Sequence, residues 1–118
     1  MGFNSLGGGP GAAVQNLRRH GLAVYGTFVF GYDQDTPDTL TQTVEFARQH
    51  GLFLAGFNHV MPFPGTPLYA RLKSEDRLLY DPWWLDARYR YNMIPFRPRG
   101  MAPDELARRC LEARRQFY

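Results

Sequence analysis

The stretch VYGTFVFGYDQDTPD, residues 24–38, decides the fold of this chain. Residues 22–30 are apolar almost throughout and rich in β-forming side chains, which predicts a strand buried on both faces. The strand ends at Gly31, and residues 31–35 are expected to form a loop. Thr36 is then placed to cap a helix that has Pro37 in its first position.

A second strand–loop–helix junction follows in MPFPGTPLY, residues 61–69, after a strand predicted over 52–60. Leu40, Val44 and Ala47 share one face of the helix between the two strands, and Gly51 is placed to end it. A strand, a helix and a strand joined by short links predict a βαβ unit. Such a unit pairs its strands in parallel through a right-handed crossover.

Further elements are predicted on both sides of this unit. A helix over 12–20 precedes it, and a short helix over 68–73 follows the second strand. Residues 78–98 are expected to be irregular, apart from a strand at 89–94. A last helix over 104–117 carries Leu106, Cys110, Ala113 and Phe117 at helical spacing.

Two parallel strands cannot cover both faces of a sheet or satisfy both of its edges. Either the chain contributes to a larger sheet or its further strands are missing. We therefore expect a fragment of a larger α/β fold.

Composition is typical of one small globular domain: 118 residues with 44% hydrophobic residues and a net charge of +3. Cys110 is the only cysteine, which excludes a disulfide framework and a cysteine-based metal site within the chain. No apolar run is long enough to span a bilayer, and the amino terminus lacks the features of a signal peptide. The chain is expected to be soluble and cytoplasmic, without a membrane partner.

The loop after the first strand is the first candidate site. Gly31 allows close approach of a ligand to the backbone, and the following helix start offers free amide groups. Asp33 and Asp35 are candidates to accept hydrogen bonds from hydroxyl or amino groups. The alternative is structural: Asp35 and Thr36 cap the helix, and Asp33 is solvated.

The proline-rich loop after the second strand is the second candidate. Its three prolines impose an extended path whose free backbone groups suit the edge of a flat heterocycle. Asn58 and His59 lie near the strand end with opposite orientations, so one of them faces a barrel interior. His59 is a candidate general acid or base, against the commoner structural role.

Two surface features remain open to two interpretations. The aromatic residues between Tyr80 and Tyr91 either stack on a ring ligand or pack the following segment onto the fold. Six arginines from residue 97 onward form either a solvated helix face or a binding patch. The glycine run at residues 7–11 lacks the features of a phosphate loop.

With these motifs in view, the chain resembles the carboxyl-terminal portion of a radical S-adenosylmethionine enzyme. It is most similar to the subgroup with a cobalamin-binding domain ahead of a partial (βα) TIM-like barrel. The fifth barrel strand in that family ends in an apolar–Gly–x–x–x–acid–Thr pattern, matched at Phe30, Gly31, Asp35 and Thr36. The sixth ends in a Pro-x-Pro-Gly-Thr-Pro-Leu-Tyr pattern, matched over residues 62–69.

The resemblance implies an organisation for the chain. Residues 1–12 would be a flexible glycine-rich start, 13–75 the last two βα units of the barrel, and 76–118 an extension with an Arg-rich helix. The implied S-adenosylmethionine contacts are Gly31, Tyr32, Asp35, Thr36, Asn58, Val60, Met61 and Pro62. Many relatives have Glu at the position of Asp35.

The family also binds a four-iron, four-sulfur cluster through a Cys-x3-Cys-x2-Cys loop, which this chain lacks. The resemblance therefore implies a parent enzyme that uses S-adenosylmethionine, the cluster and, within this subgroup, cobalamin. The implied partners are the missing amino-terminal barrel half and a small-molecule substrate. No residue here is assigned as catalytic or as a metal ligand, and the chain alone is expected to be inactive.

Two other functions stay open at this point. One is a non-enzymatic module that grips nucleic acid with its arginines and tyrosines, which the mild net charge disfavours. The other is a homo-oligomeric half-barrel enzyme that uses His59 and Asp35 as an acid–base pair.

Overall fold

The computed structural model describes residues 9–118 of the chain. Its helices and strands are α1 (Gly9–Arg19), β1 (Tyr25–Phe30), α2 (Pro37–Gln49), β2 (Leu54–His59), α3 (Pro67–Ser74) and α4 (Pro103–Phe117), with one 3-10 turn at Trp83–Leu85. The strands form a two-stranded parallel sheet, in which Tyr25 pairs with Leu54 and Phe30 with His59. The prediction of an α/β chain with a βαβ unit is thus confirmed.

Helix α1 begins at Gly9 rather than at the predicted residue 12. The last four residues of the predicted flexible segment are therefore helical, and the first eight lie outside the described residues. Pro10 is compatible with this earlier start because the amide groups of a first helical turn have no partner within the helix.

Both strands begin later than predicted, and the hydrogen bonds of the preceding helix ends explain the difference. The amide of Leu22 donates to the carbonyl of Leu17, and the amide of Leu52 donates to the carbonyl of Ala47. Each of these apolar residues therefore belongs to the end of a helix and not to the following strand.

The two faces of the sheet differ, which corrects the prediction of a strand buried on both faces. Phe28 and Phe57 stack with ring centroids 5.6 Å apart on the face covered by α2 and α4. On the other face, Tyr25 is 62% exposed, Val29 44% and Leu54 42%. Apolar side chains thus form an uncovered sheet surface, which we call the open face.

The segment after α3 folds back along the molecule without a strand at residues 89–94. Asn92 has a left-handed backbone with φ of 71°, which breaks the predicted strand. A single antiparallel bridge joins Leu78 to Phe96 instead. The prediction of an irregular segment is otherwise confirmed.

Helix α4 packs its apolar face into the core as predicted, with Leu106, Cys110 and Ala113 buried. Just before it, Gly100 approaches the loop after β1 so closely that a Cβ atom there would lie 1.8 Å from the carbonyl oxygen of Asp35. None of the described helices is long and apolar enough to cross a membrane.

Candidate functional site

The loops after β1 and β2 lie side by side at the same end of the sheet. The amide of Val60 donates to the carbonyl of Phe30 at 2.8 Å, so the strand pairing continues one residue beyond β2. Both predicted loops are therefore brought together at the carboxyl ends of parallel strands, where α/β folds usually bind ligands.

The loop after β1 is ordered by the side chain of Asp35. Its Oδ2 accepts hydrogen bonds from the amides of Gly31 at 3.0 Å and Tyr32 at 3.1 Å, and the residue is only 3% exposed. Gly31 has φ of 114°, a conformation that favours glycine. Asp35 therefore acts as a positioning residue that holds the loop backbone in a tight turn.

Two other predicted residues of this loop remain accessible. Tyr32 is 46% exposed, and Thr36 is exposed at the N-cap of α2. The amide of Thr36 donates to Oγ1 of Thr39 at 3.0 Å, which fixes the predicted helix start.

Asp33 is the centre of an ion-pair network and not the solvated residue of the structural alternative. Its carboxylate lies 3.2 Å from Arg71, 3.1 Å from Arg77 and 3.7 Å from Arg99. Glu75 also pairs with Arg77, at 2.8 Å. The network joins the loop to α3 and the extension, and because its members lie in separate parts of the chain, no sequence spacing could reveal it.

The loop after β2 is held by the aromatic segment. Nε1 of Trp83 donates to the carbonyl of the buried Pro62 at 2.8 Å, and the ring of Trp83 lies 6.1 Å from that of Phe63. The packing interpretation is confirmed for Trp83. Among residues 60–62, only the amide of Met61 is a backbone donor that forms no hydrogen bond within residues 9–118.

A cavity of about 350 Å³ opens between this loop, the end of β2 and the aromatic segment. We call it the site cavity. Its walls include Asn58, Met61, Trp83, Tyr89, Tyr91 and Arg114. Residues of the second candidate site and of the aromatic cluster thus line one cavity. The sequence did not predict that they lie together.

Asn58 and His59 have opposite orientations, as predicted. Asn58 lies on the open face and its Oδ1 accepts a hydrogen bond from Nη2 of Arg114 at 3.3 Å. His59 is half-buried, and its burial lowers the pKa of the imidazole, an effect to which the positive charge of Arg114 adds. His59 therefore favours its neutral form.

The acid–base pair of the half-barrel alternative finds no support in this geometry. No hydrogen bond within residues 9–118 joins Asp35 to His59, and the carboxylate of Asp35 is already engaged by two amides. The nucleic-acid alternative also loses part of its basis, because Arg108 and Arg109 pair with Glu105 and Glu112 on their own helix.

The described part of the chain offers no metal site: no three His, Cys, Asp or Glu side chains are grouped suitably. Cys110 is buried in the core, and this burial raises the pKa of its thiol to about 11. A neutral, buried thiol is a poor ligand and nucleophile, so the residues present do not fit an iron–sulfur cluster.

Fold and site together define an α/β chain whose loops meet at the carboxyl end of a parallel strand pair. Comparison with known proteins identifies the class more closely. The chain is 31% identical over 107 residues to the bacteriochlorophyllide d C-12(1)-methyltransferase of Chlorobaculum tepidum. The match covers 91% of this chain and 22% of that protein.

Two further relatives match this chain over different lengths. The hopanoid C-2 methylase of Rhodopseudomonas palustris is 34% identical over 68 residues, 58% of this chain and 13% of that protein. The anaerobic magnesium-protoporphyrin IX monomethyl ester cyclase of Cereibacter sphaeroides is 26% identical over 106 residues, 90% and 16% of the two chains. No family model and no solved structure matches the chain.

These relatives are methyltransferases and cyclases of the radical S-adenosylmethionine type, and they confirm the resemblance stated above. The chain is similar to the carboxyl-terminal portion of that family, in the subgroup with a cobalamin-binding domain. It spans about a fifth or less of the length of the relatives it matches.

Proposed function

We propose that this chain is the carboxyl-terminal part of a radical S-adenosylmethionine enzyme that modifies a large apolar ring substrate. The observation that carries the proposal is the open face, since an uncovered apolar surface on a parallel sheet requires further structure to cover it. In a completed barrel this face would line the interior, beside the two loops.

The loops would border S-adenosylmethionine from two sides. Tyr32 and Thr36 have exposed surface for its ribose and methionine portion, on a turn that Asp35 and Gly31 hold in place. The free amide of Met61 would face the adenine, on a backbone positioned by the pairing of Val60 and the burial of Pro62, with Asn58 alongside on the open face.

The cluster would come from the amino-terminal barrel half, which is the proposed partner. Cobalamin would be held by a domain ahead of that half, so no residue of this chain is assigned to it. The cluster would supply the electron that cleaves S-adenosylmethionine, so this chain alone is expected to be inactive. The part played by its own residues is to bind and orient.

The substrate class follows from the relatives and from the site cavity. The names of the three relatives above refer to a bacteriochlorophyllide, a hopanoid and a protoporphyrin. The aromatic walls contributed by Trp83, Tyr89 and Tyr91 suit an apolar ring surface. A methyl transfer to such a ring is the reaction we propose.

A chimera tests this function. The matching carboxyl-terminal segment of the Chlorobaculum tepidum methyltransferase is replaced by residues 13–118 of this chain, and the product is reconstituted with iron and sulfide. We expect release of 5′-deoxyadenosine from S-adenosylmethionine under reducing conditions, and none from the chain alone or from a chimera without the three cluster cysteines. A folded, cluster-loaded chimera that releases none would contradict the proposal, as would release by the chain alone.

A further inference from the structure

Arg114 differs from the other cations near the site because it forms no ion pair with a carboxylate within residues 9–118. It is half-buried on α4, and its one hydrogen bond within residues 9–118 goes to the neutral side chain of Asn58. Arg77 and Arg99, by contrast, share the carboxylates of Asp33 and Glu75. Arg114 thus keeps a positive charge without a counter-charge.

The position of Arg114 brings its positive charge next to two cavities. The residue lines the site cavity and also borders a neighbouring cavity of about 290 Å³, with His59 beside it in both. Arg108 also borders the neighbouring cavity, whereas Arg114 is the only arginine or lysine among the described residues that line the site cavity. Asn58 holds one edge of the guanidinium and leaves other N–H groups for a ligand.

The cavity walls set the chemistry of the rest of the ligand. The lining residues Met61, Phe63, Trp83, Tyr89 and Tyr91 are apolar or aromatic, and the rings of Trp83 and Tyr89 lie 4.9 Å apart. Flat rings pack well against such walls. A single planar guanidinium suits the two oxygens of a carboxylate, whereas no second arginine or lysine among the described residues lines this cavity to bind a phosphate.

We propose that Arg114 binds the carboxylate of an apolar ring ligand whose body packs against the aromatic walls of the site cavity. The inference rests on the proposed function and deepens it, because it specifies a ring acid as the substrate class. Asn58 is then a positioning residue that orients the guanidinium through its side-chain oxygen.

Two ring probes that differ in one group test the inference on the full 118-residue chain. We compare 1-pyrenebutyrate with 1-pyrenebutanol by quenching of tryptophan fluorescence, since Trp83 and Trp84 are the two tryptophans of the chain and Trp83 lines the cavity. The butyrate is expected to bind about tenfold more tightly, the usual effect of a charge-assisted hydrogen bond.

Three variants locate the effect. R114Q should remove the preference for the butyrate, and R114K should keep part of it. R115Q changes the exposed neighbouring arginine and should keep all of it. The wild-type comparison and R114K carry the test if R114Q fails to fold.

The contrary outcomes separate the two proposals. Equal binding of both probes by the wild type, or a full preference in R114Q, would overturn the role of Arg114 while leaving an apolar ring site and the proposed function in place. Binding of neither probe would also overturn it, and the chimera assay for 5′-deoxyadenosine would decide the proposed function independently.

Discussion

The sequence allowed two roles for Asp35, contact with a ligand and capping of a helix. It accepts two backbone hydrogen bonds inside its own loop, so its proposed role toward a ligand is to hold the turn. The sequence indicated Asp35 as a candidate site residue because it lies between Gly31 and Thr36. Its hydrogen-bond partners could not be predicted, because an acidic residue beside a helix start has several local partners.

Asp35→Ala should destabilise the chain by about 2 kcal/mol or more, since it leaves the amides of Gly31 and Tyr32 without an acceptor. Asp35→Asn keeps a side-chain oxygen and should cost less. Urea denaturation followed by circular dichroism measures both. Equal, small losses for the two variants would mean that these hydrogen bonds contribute little.

Among the described glycines, Gly100 leaves the least room for a side chain. Gly100→Ala would drive its Cβ into the carbonyl of Asp35 and should cost about 2 kcal/mol or more, because the backbone itself must move. Gly65→Ala is the control: its surroundings are open, so only the penalty of its left-handed φ of 85° applies, about 1 kcal/mol. A lower denaturation midpoint in the control than in Gly100→Ala would refute the close approach.

The lowered pKa of His59 predicts how the free energy of unfolding changes with pH. Its pKa is lowered by burial in the folded state, so the unfolded chain binds the proton more readily. The contribution of His59 to stability is therefore full above about pH 6.5, its ordinary pKa, and is lost as pH falls through the lowered value. We expect His59→Gln to flatten the decline in unfolding free energy as pH falls below about 6.5. An unchanged slope in the variant would argue against this role.

At the scale of elements, the predicted strands were too long at their starts and correct near their ends. The apolar residues Leu22 and Leu52 carry the periodicity of a strand, but each closes a hydrogen bond to the helix before it. An apolar pattern does not distinguish a strand residue from a residue that closes a helix end: Leu52 is buried and Leu22 is 55% exposed, yet both close a helix end. The starts of α2, α3 and α4 were predicted to within one residue because a proline marks the first residue of each, whereas α1 begins three residues earlier than predicted.

One face of β1 is buried and the other is exposed, so the same substitution should have different effects on the two faces. Val29→Lys places a charge on the open face and should change stability by less than about 1 kcal/mol, while it reduces self-association of the chain. Phe28→Lys is the matched change on the covered face and should prevent folding, because Phe28 is buried against Phe57. Circular dichroism and analytical ultracentrifugation test the pair. Similar folding of both variants would show that the two faces are not as described.

At the scale of the whole molecule, the extension returns to the sheet end and completes the site. Trp83 reaches Pro62, Gly100 lies against Asp35, and Arg77 pairs with Asp33. These contacts join residues far apart in the chain, so no local pattern predicted them. The two strand–loop–helix junctions and the family resemblance were, in contrast, available from the sequence, since they depend on local motifs.

The central claim is that this chain is the carboxyl-terminal part of a radical S-adenosylmethionine enzyme. The most direct measurement is the sequence of the source DNA upstream of the Met1 codon, read in the same frame. We predict an open frame that encodes further βα units and a Cys-x3-Cys-x2-Cys loop. A stop codon close upstream, with no neighbouring gene that encodes a cluster-binding barrel half, would contradict the claim.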